Sequence, residues 1–271
     1  MRKNETLIKI LAKTFLYLMF VVMFLPIIVL MIFSFTESDV LGNWTGFSFN
    51  LYVELFKNEA LMSAVGNTWL IAVVSAIVST ILGTLGAIGV YYSRKKFKKG
   101  VETMTQLPVV NAEIVMALSL AVVFSSLNLS YSFLTLLIGH VVLTVAFVYL
   151  NVKPKLAQLD ANTYEAALDL GSTPTQALFK VVLPEIFPGI ISGFLISITL
   201  SLDDFVITQY LKEPSFETIS TYIQKIVAKH PIPAEVRALT TIIFVIVLAA
   251  VILVTIYNNK NANNIIKRRR G

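Results

Sequence analysis

The sequence predicts an all-α membrane protein that crosses the bilayer six times with both termini in the cytoplasm. Three observations support this fold class. Of the 271 residues, 56% are hydrophobic and 14% are charged, and the mean hydropathy is +0.77. Soluble domains carry about 25% charged residues, so this composition indicates a membrane protein. The other two observations are a series of long uncharged stretches and a one-sided distribution of basic residues.

Five uncharged stretches are long enough to supply membrane-spanning helices, which need about 17–25 apolar residues each. They cover residues 14–35, 60–93, 114–152, 186–202 and 238–259. The third stretch can hold two spans, with the polar sequence NLSYS at 128–132 as the turn between them. We therefore predict six spans, near residues 13–35, 66–92, 105–127, 132–151, 188–208 and 238–257.

The first stretch follows four basic residues, a pattern that also precedes secretory signals. Its apolar run is longer than the roughly 7–15 residues of a signal-peptide core, and no small-x-small cleavage site follows Phe35. We expect a retained membrane anchor.

Basic residues set the predicted orientation. The segments that would face outside hold only five of the 22 lysines and arginines, namely Lys57, Lys212, Lys225, Lys229 and Arg237. Cytoplasmic segments of membrane proteins are enriched in Lys and Arg, so both termini are predicted to be cytoplasmic. The net charge of +6 is then a topology signal. The run KRRR at 267–270 is predicted to contact the membrane surface, and no nucleic-acid partner is expected.

Several kinds of chemistry are disfavoured by what the sequence lacks. It has no cysteine, and its two histidines, His140 and His230, are too few for a catalytic or metal cluster. His140 lies in the fourth predicted span, where we expect it to form interhelical hydrogen bonds. No Walker A pattern occurs, so the chain is not expected to hold ATP phosphates in the usual way. We predict no catalytic residue, no metal site and no bound cofactor.

The longest predicted cytoplasmic loop, residues 152–187, carries the signals of two short helices. Asn162 and Glu165 can form a capping box at the start of the first helix, and Gly171 can end it in a left-handed conformation. Thr173 can cap the second helix, with Pro174 at its first position and Gln176 completing a second capping box. The loop is predicted to be a stiff helix–turn–helix on the membrane surface.

One string in this loop is the most specific signal in the chain. It reads Glu165-Ala166-Ala167, three residues, Gly171, nine residues, and then VVLP at 181–184. It resembles the EAA loop of bacterial ATP-binding-cassette (ABC) importer permeases, E-A-A-x3-G-x9-I-x-L-P, with valine in place of isoleucine. In that family a separate ATPase subunit drives the permease through this loop.

The resemblance implies a type I ABC importer permease fold, with residues 1–271 as a single transmembrane permease domain that contains the 152–187 loop. It also implies that the ATPase subunit contacts Tyr164, Glu165, Ala166, Ala167, Leu170 and Gly171.

Further strings resemble spermidine/putrescine permeases of the PotC type. They are GFSFNLY at 46–52, LP at 107–108 with EIV at 113–115, SLDDFVIT at 201–208, PSFET at 214–218 and PAEVRAL at 233–239. The sequence Asn111-Ala112 replaces the usual proline before Glu113. This resemblance implies polyamine import across the bacterial cytoplasmic (inner) membrane. The implied partners are a PotB-like sister permease, two ABC ATPase subunits that bind ATP and Mg, and an external polyamine-binding protein.

Acidic residues within the predicted spans point to the same substrate class. A carboxylate at a helix centre costs about 2.5–3.5 kcal/mol, so such residues usually face a cavity or a partner. The spans hold three carboxylates and, apart from Lys13 at the start of the first span, no Lys or Arg, which suits a cation. On a continuous helix, Ser197, Ser201, Asp204 and Thr208 would share one face. The predicted substrate pathway consists of Asp203, Asp204, Glu113, Ser201, Ser197 and Thr208.

Other interpretations stay open at this level. Asp203 or Asp204 can instead pair with the sister permease or cap a broken helix. A related permease for iron, thiamine or an aminophosphonate would share the EAA loop. A secondary transporter working alone would leave that loop without a purpose, and the sequence shows no inverted repeat of the kind that many such folds carry. A membrane enzyme lacks a suitable group of residues.

Overall fold

The computed structural model describes residues 2–38, 40, 42–228, 233–249 and 252, and within this part of the chain the regular structure is helical, with no strand. The helices are α1 (Arg2–Phe33), α2 (Asn50–Lys57), α3 (Glu59–Tyr91), α4 (Lys95–Val110), α5 (Glu113–Ser126), α6 (Phe133–Ala157), α7 (Ala161–Asp169), α8 (Pro174–Ala177), α9 (Leu183–Asp203), α10 (Val206–Leu211), α11 (Ile219–Val227) and α12 (235–249). A π-helical turn at Leu178–Val182 joins α8 to α9.

Four helices among the described residues are long and apolar enough to cross a membrane: Lys9–Phe33, Glu59–Tyr91, Phe133–Ala157 and the continuous run Pro174–Asp203. The pair α4 and α5 forms a fifth candidate, broken between its helices and bent by 108°. Of the predicted sixth span, 238–257, only residues 238–249 and 252 are described. Lys229, His230 and the basic run at 267–270 lie outside the described residues.

The chain divides into two compact units. The first unit comprises Met1–Met62 and Ile226–Gly271, and the second comprises Ser63–Lys225. In the first unit, the buried guanidinium of Arg237 donates to the carbonyls of Ala234 and Phe33, each at 3.2 Å, and of Ser38 at 2.8 Å. These bonds tie the start of α12 to the end of α1. The aromatic residues at 35, 47, 49 and 52 form a second contact within this unit, with ring centroids 5.2–5.9 Å apart.

The second unit is organised around α6, which carries core residues along its whole length. One apolar cluster joins α6 to α5 and α10, and the other joins α6 to α3, the π turn and α9. Glycines allow the closest approaches. A Cβ added to Gly193 of α9 would lie 3.0 Å from Val148 Cα of α6, and one added to Gly189 would lie 2.9 Å from Asn151 O. Small residues at such contacts are typical of helices packed within membranes.

Two of the predicted spans were expected to be continuous helices, and this was wrong because each contains a break. The predicted span 105–127 is broken at Asn111 and Ala112, whose extended backbones separate α4 from α5. The predicted span 188–208 ends as a helix at Asp203, because Asp204 has an extended backbone (φ −65°, ψ 125°) and α10 starts anew at Val206. Both breaks fall at short polar interruptions of the apolar pattern, Asn111-Ala112-Glu113 and Asp203-Asp204, which the prediction of continuous spans passed over.

Candidate functional site

The EAA-like string lies on α7 and on the turn that follows it. Asp160 caps this helix, because its Oδ1 accepts the Asn162 N–H at 3.0 Å. The prediction that Asn162 is the cap was wrong. Asp160 is an equally good capping residue and has the extended backbone that a cap requires, whereas Asn162 already lies inside the helix.

The end of α7 has the geometry predicted for it. Gly171 has φ +87°, in the left-handed region, and its N–H donates to Leu168 O at 2.9 Å. The Ser172 N–H donates to Ala167 O at 3.0 Å. This pair of bonds is the Schellman motif, in which a glycine ends the helix because a side chain would strain the left-handed conformation.

The second helix of the loop starts as predicted but continues further. Thr173 Oγ1 accepts the Gln176 N–H at 3.3 Å, and Gln176 Oε1 accepts the Thr173 N–H at 3.2 Å, which completes a capping box. The helix does not end within the loop, since it passes through the π turn into α9 as one run of 30 residues, Pro174–Asp203. The expectation of a second short helix, separate from the span, was therefore wrong.

The residues predicted to contact an ATPase differ in exposure. Leu170 is 88% exposed, and Glu165 and Ala166 are also exposed, together with Gly171. Tyr164 is half-buried instead, with its ring centroid 5.7 Å from that of Tyr92. The loop thus presents an edge of exposed apolar and acidic side chains. Tyr164 packs against Tyr92, the residue that follows α3. Ala167 is half-buried.

A buried polar network joins α3, α6, α9 and α10. At its centre is His140 of α6, which is fully buried. Its Nδ1 lies 2.7 Å from Ser201 Oγ of α9, and its Nε2 lies 3.1 Å from Thr208 Oγ1 of α10. Ser75 Oγ of α3 donates to Ser201 Oγ at 3.2 Å. The prediction that His140 forms interhelical hydrogen bonds is confirmed.

The partners of His140 indicate where its proton lies. Thr208 uses its single hydroxyl proton on Asp204 Oδ2, 2.7 Å away, so Thr208 Oγ1 accepts from the imidazole. Nε2 is therefore the protonated ring nitrogen, and it also lies 3.5 Å from Asp204 Oδ2. The Ser75 hydroxyl has two possible acceptors, Ser201 Oγ and Ala72 O, each at 3.2 Å, and Ser201 can donate to Nδ1 when it accepts from Ser75. The contacts thus place a proton on Nε2.

Asp204 is 4% exposed and caps the break between α9 and α10. Its Oδ1 accepts the Ile207 N–H at 3.1 Å, and its Oδ2 accepts the Thr208 N–H at 2.8 Å. These amides belong to the first turn of α10 and have no partner within the helix. The Asp204 carbonyl accepts from Ser220 Oγ at 2.9 Å. Capping of a broken helix, which the sequence left open, is the role that these bonds show.

Asp203 and Glu113 lie differently. Asp203 is the last residue of α9, Glu113 is the first residue of α5, and both are exposed. The Glu113 charge interacts with those of Asp203 and Asp204, so the three carboxylates lie within electrostatic range of one another. Within the described part of the chain, neither Asp203 nor Glu113 forms an ion pair.

The four polar residues predicted to share one helix face are thus divided by the helix break. Because the helix breaks at Asp204, Ser197, Ser201, Asp204 and Thr208 do not lie along one continuous helix. All four are buried, and the last three belong to the His140 network. Ser197 is also buried, but its hydroxyl has no hydrogen-bond partner in the described structure.

Comparison with known proteins gives this geometry its context. Residues 79–261 match the family described as "Binding-protein-dependent transport system inner membrane component". The chain belongs to this family. The matched region contains the EAA-like loop and the residues of α6, α9 and α10 that form the polar network.

Two curated relatives are permease subunits. The chain is 35% identical to the spermidine/putrescine transport system permease protein PotC of Haemophilus influenzae, over 93% of this chain and 97% of that one. It is 36% identical to the putrescine transport system permease protein PotI of Escherichia coli (strain K12), over 84% of this chain and 83% of that one.

A solved structure shares the fold. It is a bacterial ABC transporter involved in the import of the acidic polysaccharide alginate, with a TM-score of 0.73 and 17% identity over 94% of this chain and 97% of that one. The match indicates that this permease has the fold of an ABC importer permease.

In the described residues of the permease, no group of three or more His, Cys, Asp or Glu side chains is placed to hold a metal ion.

Two residues of the permease's polar network were not predicted from the sequence. Ser75 of α3 and Ser220 of α11 were not singled out, although both bond to it. Single serines in apolar or loop segments give no distinctive signal. His140 was noticed, but its partners lie 61 and 68 residues further along the chain, and no local pattern indicates them.

Proposed function

We propose that this permease forms part of the path by which an ATP-driven importer brings spermidine or putrescine into the bacterial cell. The similarity to PotC, 35% identity over 93% of the chain, carries this proposal. The charge within the helices supports it, because Asp203 and Glu113 are exposed carboxylates without an ion-pair partner in the described structure. An aliphatic ammonium ion can exchange its water for such oxygens.

We propose that the chain is a single permease domain, 1–271, that crosses the inner membrane six times and keeps both termini in the cytoplasm. Four to five spanning candidates in the described residues support this topology, as does the small share of basic residues in the segments assigned to the outside. The sixth span is assigned to 238–257, of which residues 238–249 are described and helical.

The partners proposed for the permease are a PotB-like sister permease, two ATPase subunits and an extracytoplasmic polyamine-binding protein. ATP and Mg would be bound by the ATPases, because the permease sequence has no Walker A motif. The family description names a binding-protein-dependent system. A structural neighbour, the bacterial alginate ABC transporter, was solved in complex with an alginate pentasaccharide-bound periplasmic protein.

The EAA-like loop is proposed to receive the motion of the ATPase. Glu165, Ala166, Leu170 and Gly171 form its exposed edge, and Tyr164 anchors it. The helical run that starts beside this edge spans 30 residues. At 1.5 Å per residue its length is about 45 Å, enough to cross the bilayer. One helical run therefore connects the loop to Asp203.

Within the substrate pathway we assign different roles to the predicted residues. Asp203 and Glu113 are proposed to meet the cation, because their carboxylates are exposed. Asp204, Ser201 and Thr208 are proposed to shape the pathway from behind, since their polar atoms are engaged in the buried network. Ser197 is also buried and lies about one turn before Ser201 in α9, on the side of that helix that leads back to the loop.

Uptake by proteoliposomes that contain the permease with its sister, ATPase and binding protein tests this function. We expect ATP-dependent accumulation of radiolabelled spermidine or putrescine, and no accumulation of thiamine. Omission of the ATPase is the control and should abolish uptake. Thiamine uptake without polyamine uptake would reject the polyamine assignment, and polyamine uptake without the ATPase would indicate a secondary transporter.

A further inference from the structure

His140 bridges the break in the helix that carries the two aspartates. One ring nitrogen bonds to Ser201, the third residue from the end of α9, and the other bonds to Thr208 in α10, beyond the break. The imidazole is fully buried and sits on α6, a separate helix. A single side chain thus holds both sides of the break against a third element.

The helix before the break leads directly to the EAA-like loop. It starts at Pro174, next to the capping box of Thr173, and continues through the π-helical turn at Leu178–Val182 to Asp203. Along its middle it packs closely on α6, where Gly189 and Gly193 leave no room for a Cβ. At its far end the link to α6 is polar and passes through His140.

We propose that His140 is a positioning residue for transport. It keeps the end of α9 and the start of α10 in register, so that movement of the loop shifts the exposed Asp203 carboxylate and leaves the Asp204 cap intact. The inference rests on the proposed function. Its physical basis is that a helix break leaves amide groups without partners, and their acceptor Asp204 keeps its orientation through Thr208, the neighbour of His140.

Two substitutions separate hydrogen bonding from packing. His140→Leu keeps a side chain of similar size and removes both bonds. His140→Gln carries an acceptor oxygen and an N–H donor, so it can serve Ser201 and Thr208 together. Thr84→Val is the matched control, because the Thr84 hydroxyl is buried in a spanning helix and has no hydrogen-bond partner in the described structure.

The first readout is spermidine uptake per ATP hydrolysed by the complete reconstituted importer. We expect His140→Leu to lower this ratio at least about fivefold, the lower range of coupling between two sites. His140→Gln should stay within about twofold of wild type, and Thr84→Val should match it. A wild-type ratio in assembled His140→Leu importer would overturn the proposal. If the His140→Gln importer assembles and its ratio falls as far as that of His140→Leu, the proposal is also overturned. Hydrogen bonds to both Ser201 and Thr208 would then not be enough to maintain coupling.

The second readout follows the movement itself and does not need polyamine. The chain has no cysteine, and Thr199 is exposed one turn before Asp203. In a Thr199→Cys background, alkylation by a water-soluble maleimide should change rate when ATP is added, and the change should persist with His140→Gln and vanish with His140→Leu. If His140→Leu does not assemble, His140→Gln decides, since loss of the ATP-dependent change there overturns the proposal. Failure of wild-type polyamine uptake alone would reject the proposed substrate and leave this labelling result valid.

Discussion

Gly193 of α9 lies so close to Val148 of α6 that an added Cβ would come within 3.0 Å of Val148 Cα and 3.2 Å of its Cγ1. Backbone at that distance cannot move aside as a flexible side chain can. The close approach of the two helices therefore depends on a hydrogen atom at residue 193. It also fixes α9, and with it the two aspartates at its end, relative to the central helix of the second unit.

We expect Gly193→Ala to destabilise the permease by about 1–3 kcal/mol, the cost of overpacking a well-packed core. Gly86→Ala is the matched control. Gly86 also lies within a helix, but a Cβ there would meet nothing within 4 Å. Thermal unfolding of the detergent-purified complex measures the difference. Equal melting temperatures for the two variants would show that α6 and α9 are not held at the distance described.

The left-handed Gly171 gives a second prediction, on coupling. A non-glycine residue in this conformation costs about 1–2 kcal/mol, so Gly171→Ala should loosen the end of α7 and lower ATP-driven uptake, with the chain still inserted. Gly100→Ala serves as the control, because Gly100 is helical and has open space around it. Wild-type uptake by Gly171→Ala at equal membrane abundance would argue against a coupling role for this turn.

Local and distant interactions differ in how well the sequence predicted them. The glycine end of α7 and the capping box at Thr173 were predicted correctly, because each depends on a few consecutive residues with strong conformational preferences. The helix break at Asp204 was left open as one alternative and was not included in the predicted span 188–208. It depends on backbone amides that donate to the Asp204 side chain and on a network that reaches His140, and the local sequence does not identify these distant partners.

The different surroundings of the two aspartates predict different effects of the same substitution. Asp203→Asn should leave the permease as stable as wild type and lower polyamine uptake, since its carboxylate is exposed. Asp204→Asn should destabilise it by about 1–3 kcal/mol, because an amide NH₂ would then face the N–H of Ile207 or Thr208 and leave a buried donor unsatisfied.

Paired measurements of melting temperature and spermidine uptake separate the two effects. A stable Asp204→Asn permease would contradict the capping role. Full uptake by Asp203→Asn would remove Asp203 from the substrate pathway, even if Asp204→Asn were destabilised as expected.

Glu217 predicts a pH dependence outside the membrane-spanning helices. Burial alone would raise the pKa of Glu217, but hydrogen bonds from Thr221 and Lys225 and the charge of Lys212 outweigh it and hold the pKa below its ordinary value. Lys212 Nζ and Lys225 Nζ lie 3.3 Å and 3.2 Å from its carboxylate oxygens. The stabilisation is present above the ordinary carboxyl pKa, about 4.3 for glutamate, and is lost as the pH falls through the lowered one.

Glu217→Gln should therefore reduce stability at neutral pH and have little effect once the pH is low enough to protonate wild-type Glu217. Melting temperatures of both proteins between neutral and acidic pH measure this. A difference between wild type and variant that grows as the pH falls would have the wrong sign for a lowered pKa. Glu213→Gln, in the same segment, is a suitable control for loss of one nearby charge.

ATP hydrolysis by the complete reconstituted importer, measured with empty and with spermidine-loaded binding protein, tests the central claim most directly. If this chain is the permease that couples polyamine delivery to the ATPase, loaded binding protein should stimulate hydrolysis above the level with empty protein. Asp203→Asn should reduce the stimulation without abolishing basal hydrolysis. Equal hydrolysis with empty and loaded binding protein, in vesicles whose subunits are fully assembled, would contradict the account.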